Sequence, residues 1–560
     1  MMFVKRIFFY SCCLFVLASC SKSNDTTAPV TPPPVTPSSF NFDALRVNNV
    51  NSGFTYVNLN TAPVIKISFS EALNKTSVSS AIAFKSNSGT NVTYAATYED
   101  GDKTVIIKPS AALQYLTKYT VSVSTGLKSA KDGSLQSAVT VNLTTAIDST
   151  DKFPQISDNA LLDLVQRQTL KYFWEFGHPV SGLARERNTS GDVVTTGGSG
   201  FGIMAIIAGS SRNFITRADA LVRMQKIVGF LKDKAVKFHG AFPHWLNGAT
   251  GAVQPFSEKD NGADLVETAF LMEGLLSARQ YFNGANTAET TLRADINTLW
   301  DGVEWDWFRQ NNQNVLYWHW SPNYNWDINM QIRGWNEALV VYALAASSNT
   351  HAIPKTVYDN GWANNGAIKN GASYYGVQLP LGEERGGPLF FEHYSFLGIN
   401  PNGLTDAYAN YETQTKAHTL INHNYCVANP KNYTGYSADC WGLTASDINN
   451  GYTASSPAND VGVIAPTAAI SSMPYTPAES MKALKFFYYK LGDKMWGDYG
   501  FYDAFSLNEP WFANSYLAID QGPIMVMIEN YRSGLLWNLF MSCPEVKKGM
   551  KDIGFSSPNL

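Results

Sequence analysis

A small antiparallel β-sandwich followed by a large all-helical ring of paired helices is the fold the sequence predicts, on three observations. The chain has 560 residues, too long for one ordinary domain. From residue 39 to about 147 it runs in short β-branched stretches separated by Gly, Asn, Asp and Ser, the pattern of a compact sandwich. After residue 150 the apolar period lengthens to the helical one and stays so to the end.

In the first unit, APVIKISFSEAL, VTYAATYE, KTVIIKPS and KYTVSVST read as strands. Tyr119, just before TVSV, has the setting of a tyrosine corner. The stretch Pro63 to Glu71 resembles the opening strand of bacterial Ig-like modules. Residues 39–147 hold no Trp, His or carboxylate cluster, which favours a spacer over a catalyst, with weak glycan binding as the competing role.

In the second unit, DNALLDLVQRQTLKYFWEF, RADALVRMQKIVGFLKDKAV, DLVETAFLMEGLLSARQYF and NEALVVYALAAS carry helical periodicity. Thr476-Pro477-Ala478-Glu479 is a helix start: a capping Thr, Pro at the first position, and Glu reaching back. About ten to twelve helices joined by long aromatic-rich loops are expected. A ring of that size builds its cleft from the loops at one end.

The chain opens with Lys5, Arg6 and the apolar run IFFYSCCLFVLAS, too short to be a comfortable membrane span. Leu17-Ala18-Ser19-Cys20 resembles a lipobox, so Cys20 is expected to be lipidated and the protein exported and anchored to the outer membrane; a plain secretory signal is the alternative. Residues 21–38 form a Ser/Thr/Pro tether. With 42 Lys+Arg against 46 Asp+Glu, no strong field exists to hold nucleic acid. Cys426 and Cys440 have the chance to pair, and no CxxC or His cluster supports a structural zinc.

Aromatic faces stack on the C–H faces of sugars, and all 14 tryptophans follow residue 173. The densest patch, VEWDWFRQNNQNVLYWHWSP, holds Trp318 and Trp320 on an apparent loop; Trp300, inside a helical pattern, reads as core. Glycoside hydrolysis needs a proton donor and a base or nucleophile, both carboxyls. The candidates are Asp260/Asp264/Glu267, Glu337 in RGWNEAL, Glu392 in PLFFEHYSF, and Asp520 in YLAIDQGP. If helical, the first three share a stripe, where Asp260 or Asp264 has the alternative of capping the helix. Asp520 has the alternative of a turn or cap role. GGSGFG (197–202) lacks the strand context of a nucleotide loop and suits close backbone approach.

Read together, TTGGSGFGIMA, HGAFPHW, the D-x3-D-x2-E of 260–267, GWNEAL, PLFFEHYSF, IDQGPI and MIENYRSGLLW resemble glycoside hydrolase family 144, the β-1,2-glucanases with a glucoamylase-like domain. The resemblance spans nearly all of 155–545. It implies an all-α (α/α)6 toroid over 155–560 after an Ig-like sandwich over 39–147, and endo-acting, inverting cleavage of β-1,2-glucan to sophorooligosaccharides. Exo-acting release of sophorose and non-catalytic glycan binding are the rival readings. The implied general acid is Glu337 and the base Asp520, acting directly or through a substrate hydroxyl. Asp260, Asp264 and Glu267 would line the cleft, unless one of them is itself the base. Phe201, Trp318, Trp320, Trp335, Glu392, His393 and Tyr394 complete the expected site. The expectation is a monomer with a polysaccharide substrate, a lipid anchor, no cofactor and no metal.

Overall fold

The computed structural model describes residues 39–560; the lipobox cysteine Cys20 and the tether lie outside the described residues. Eight strands, β1 (Phe42–Val47), β2 (Thr55–Leu59), β3 (Ile65–Phe69), β4 (Ile82–Ser86), β5 (Tyr94–Glu99), β6 (Thr104–Pro109), β7 (Lys118–Val123) and β8 (Val139–Thr145), form two four-stranded sheets. Their orders are β1-β3-β6-β5 and β2-β8-β7-β4. Strand β3 shows why they pair face to face: Ile65, Ile67 and Phe69 are buried, while Lys66 and Ser68 between them are half-buried. Against the antiparallel expectation, β2 runs parallel to β8. The chain changes sheets between β1 and β2, and a crossover strand can run alongside its neighbour in the same direction. The Tyr119 hydroxyl accepts the Gln114 N–H at 2.9 Å, holding the turn before β7 as a tyrosine corner would.

The helical unit sorts into two populations. Helices α2 (Asp158–Trp174), α4 (Arg217–Asp233), α6 (Thr287–Asp301), α9 (Tyr411–Ala428) and α11 (Pro477–Lys485) bury one face; α8 (Lys355–Asn360) is a short connector, as α1 (Lys75–Ala81) is between β3 and β4 of the sandwich. Four of the long ones start on a side-chain cap, Ser157, Thr216, Asn286 and Asn410, each accepting a first-turn N–H. Thr476 makes no such cap before α11; its hydroxyl meets Ser480 instead. The second population is buried on nearly every side: α3 (Thr196–Ser211), α5 (Leu265–Tyr281), α7 (Leu339–Ser347), α10 (Pro466–Ile470) and α13 (Ala518–Ser533). Among these, α3 packs between α5 and α13, α5 also touches α7, and α10 leans on α13.

The α3–α5 contact is made by backbone. A Cβ on Gly200 would stand 2.1 Å from the Phe270 carbonyl oxygen, and one on Gly274 would stand 2.4 Å from that of Gly200. The glycine run therefore serves helix contact, inside a helix that follows a short strand (Val193–Thr195). Trp300 is fully buried, as its helical setting predicts. The two units touch: Leu116 packs into the helical core, and Lys118 pairs with Glu509 at 2.6 Å.

Candidate active site

The stretch 260–267 does not form one helical stripe. Helix α5 begins at Leu265, and Asp264 is its cap, accepting the N–H groups of Val266 at 3.0 Å and Glu267 at 2.9 Å through Oδ1. Asp260 precedes the helix, so the capping role falls to Asp264. Asp264 lies on a two-residue strand opposite His319, which brings distant rings onto its other oxygen. There Oδ2 stands 3.0 Å from His244 Nδ1, 3.5 Å from His319 Nε2 and 3.3 Å from the Trp318 indole N–H that donates to it. Burial alone would raise this carboxyl, but the two histidines overrule it and hold Asp264 well below the usual range. Asp260 Oδ2 stands 3.5 Å from both rings. His244 resists burial in the same way: Glu267, Asp260 and Asp264 push it well above an ordinary imidazole, so it is a cation.

His244, Asp260 and Asp264 each present one atom within 4.8 Å of the others, the grouping with metal-ligand spacing among the described residues. Their charges already compensate one another, which accounts for the cluster as an imidazolium–carboxylate network.

Glu267 projects from the first turn of α5 and accepts the Gly197 N–H at 2.7 Å, satisfying the exposed start of α3. Burial, more than the Asp264 charge, lifts its pKa. Glu337 sits in the turn before α7. Burial first, then the charges of Glu267 and Asp264, push it up to about 7, so a large share of it still carries a proton in neutral solution, where an ordinary glutamate carries almost none.

A second acid group faces this one. Asp520 is in the first turn of α13 and 3 % exposed; Asp503, 2 % exposed, is hydrogen-bonded to it. Asp503 Oδ2 accepts the Asp447 N–H at 2.6 Å. Asp447 in turn accepts from Arg187 at 3.2 Å and from Ser515 at 2.5 Å. Burial pushes Asp503 up to about 7, and burial together with the Asp503 and Asp447 charges lifts Asp520 well above the usual range.

Beside the first group lies a cavity of about 480 Å³, with Glu267 and Glu337 on its wall together with Leu517 and Ile519, which shortly precede Asp520 in the chain. Trp245, Phe256, Trp318, Phe390, Tyr394 and Tyr452 supply its aromatic faces. Phe256 stacks on His244 with ring centroids 4.2 Å apart. Burial first, then the charges of Asp520, Glu337 and Glu267 among others, push the Tyr394 hydroxyl well above its ordinary range.

Other residues expected at the site stand elsewhere. Glu392 is fully buried, bonded to His418 and, at 3.3 Å, to Gln414. His393 is bonded to Ser472 at 3.0 Å, and burial lowers it to about 3. Phe201 packs against Phe270 and Tyr394, and Trp335 against Phe396. Trp320 packs edge-on against Trp307. Motif membership did not separate residues that face the cavity from those that hold the wall behind it. Arg187, His244, Phe256, Asp447, Tyr452 and Asp503 were not singled out; all sit on loops or short hairpins with no periodicity, and HGAFPHW alone gave a signal, for His244.

Buried carboxyls on the wall of an aromatic cavity, set at the starts of buried helices, suit glycoside hydrolysis. The comparisons agree. A family model named Glycoamylase, for glucoamylase-type domains, matches residues 329–544, and one for bacterial Ig-like domains matches 43–145. An endo-β-1,2-glucanase structure from Chitinophaga pinensis is 54% identical, covers 72% of this chain and 100% of its own, and superposes with a TM-score of 0.71. A β-1,2-glucanase structure from Parabacteroides distasonis is 39% identical over 94% of this chain and 74% of its own, with a TM-score of 0.70. A curated Parabacteroides distasonis protein, an exo-β-1,2-glucooligosaccharide sophorohydrolase acting at the non-reducing end, is 48% identical over 421 residues, 71% of this chain. The chain spans 58% of the length of that relative. The chain belongs to glycoside hydrolase family 144, with an N-terminal bacterial Ig-like domain.

Proposed function

We propose that the protein hydrolyses β-1,2-glucan with inversion, cutting within the chain. The observation that carries this is the two acid groups whose charges both reach Tyr394, one of them containing Glu337, raised to about 7 and so able to give a proton near neutral pH. Glu337 gives its proton to the glycosidic oxygen as the C–O bond breaks. Water adds to the opposite face of the anomeric carbon, and its proton goes to the Asp520 side, directly or through a substrate hydroxyl. The His244 cation and Glu267 hold glucose hydroxyls, and Phe256, Trp318 and Tyr452 offer ring faces.

Endo action is supported by the Chitinophaga pinensis enzyme, which aligns over its whole length. Exo release of sophorose is the second reading, favoured by the hairpin Ala445–Ile448/Gly451–Ala454, which lines the cavity and is tied to Arg187. Product lengths and anomers followed over time on linear β-1,2-glucan test both. Mixed oligosaccharides with inverted ends are expected; sophorose as the sole early product sinks endo action, and cleavage of starch alone sinks the substrate.

We read the buried helices as the inner ring of an (α/α)6 toroid, α3, α5, α7, the turns of 389–396, α10 and α13. Support comes from the Ser395 hydroxyl accepting the Val340 N–H at 2.9 Å and the His393–Ser472 bond, which join the turns to α7 and to the end of α10. The proposed setting is an outer-membrane lipoprotein anchored through Cys20 and acting as a monomer.

A further inference from the structure

Asp520 and Asp503 are buried carboxyls whose side chains hydrogen-bond one another. Such a bond needs one proton for the two groups, because an ionised carboxylate only accepts. Asp503 Oδ1 and Asp520 Oδ2 are buried and no N–H or O–H donor among the described residues reaches them. The two are not equivalent, however. Asp503 has a backbone donor, the Asp447 N–H at 2.6 Å, and no donor reaches the Asp520 side chain from any protein group among the described residues except through Asp503. A negative charge is therefore better held on Asp503, and the shared proton rests on Asp520. A general base that carries its own proton can accept another only by passing one on.

We infer that Asp503 is the positioning residue of the base arm: Asp520 takes the reaction's proton on one oxygen while handing its own to Asp503. The inference rests on the assignment of Asp520 in the proposed function. In the step, the O–H bond of water or of the mediating hydroxyl breaks and an O–H bond forms on Asp520. Along the bond between the two carboxyls, the O–H bond on Asp520 breaks and an O–H bond forms on Asp503. Asp503 goes from anion to acid as Glu337 goes from acid to anion, so charge is conserved. Around the pair stand Asp447 and Arg187, Tyr452 on the hairpin above and Tyr394 across the cavity. The Asp447–Arg187 ion pair is held by Ser515, so it sets a steady field.

The test is Asp503→Asn in the full chain, which keeps an acceptor for the Asp447 N–H, with kcat and KM on linear β-1,2-glucan measured across pH. The expected result is a kcat lower by about 100-fold, KM within about twofold, and an acidic limb moved up by about one pH unit, because Asp520 must now ionise alone in a buried site. A thermal midpoint within about 5 °C of the parent qualifies the variant; if Asn fails to fold, Asp503→Ser takes its place with the same expectation. An unmoved limb with kcat within about threefold overturns the inference. Asp520→Asn is run beside it. An active Asp520→Asn removes the base assignment and the inference with it, whereas an inactive one beside a normal Asp503→Asn removes the inference alone.

Discussion

His244 Nδ1 stands 3.0 Å from Asp264 Oδ2, while the other oxygen of Asp264 caps helix α5. One carboxylate thus starts the helix that carries Glu267 and holds the cation that faces Glu267, 3.9 Å away. Fold and site share this group.

The two duties of Asp264 come apart in two variants. Asp264→Asn keeps a capping oxygen and loses the charge that balances His244; Asp264→Ala loses both. Alanine is expected to cost about 3 kcal/mol or more, and asparagine about 1 to 2 kcal/mol less than that. Both should lose most turnover. Urea unfolding beside steady-state kinetics checks this, and equal stabilities would mean the cap contributes nothing.

Glu337 sets the alkaline side of the pH profile. It works as an acid only while protonated, so kcat/KM should fall as pH rises through about 7. Stability follows the same sign. The folded group is raised from 4.5 to about 7, so stability present below 4.5 is lost as pH climbs toward 7. Glu337→Gln escapes that loss. It should be inactive and, at pH 7, more stable than the parent by on the order of 2 kcal/mol. A variant less stable than the parent at pH 7 contradicts this.

Glu392 is predicted to be a structural residue. Its removal leaves His418 without its partner in a dry interior, so Glu392→Ala should cost about 3–5 kcal/mol. The fraction that folds should keep KM within about twofold. A stable protein with a raised KM would place Glu392 on the sugar after all.

The glycine contact gives the sharpest packing test. Gly200→Ala sets a methyl 2.1 Å from the Phe270 carbonyl, and neither backbone can yield. A loss of about 3 kcal/mol or more, or no folded protein, is expected from calorimetry.

What the sequence made legible follows from what repeats. Helices α2, α4 and α5 lie where 3.6-residue periodicity puts them, and the alternation of β3 places its core face. Glu267 and Glu337 were legible because each stands at a helix start beside aromatic residues. The spacing of Asp260, Asp264 and Glu267 suggested one stripe, but Asp264 caps, and a cap ends the periodicity that the stripe assumed. The setting of Glu392 was not legible for a different reason: an acid among aromatics looks the same whether it faces a cavity or pairs with His418 from the next helix. Asp503 and Asp447 could not be found at all, since only tertiary contact joins an isolated loop acid to a residue 56 positions away.

The Lys118–Glu509 contact carries a practical consequence. Glu509 lies in the turn of the hairpin Phe505–Ser506/Trp511–Phe512, which begins two residues after Asp503. The β-sandwich thus grips the far end of the ribbon that presents the base arm. Trimming the protein to its helical part for expression or engineering would free that ribbon and bare the seat of Leu116.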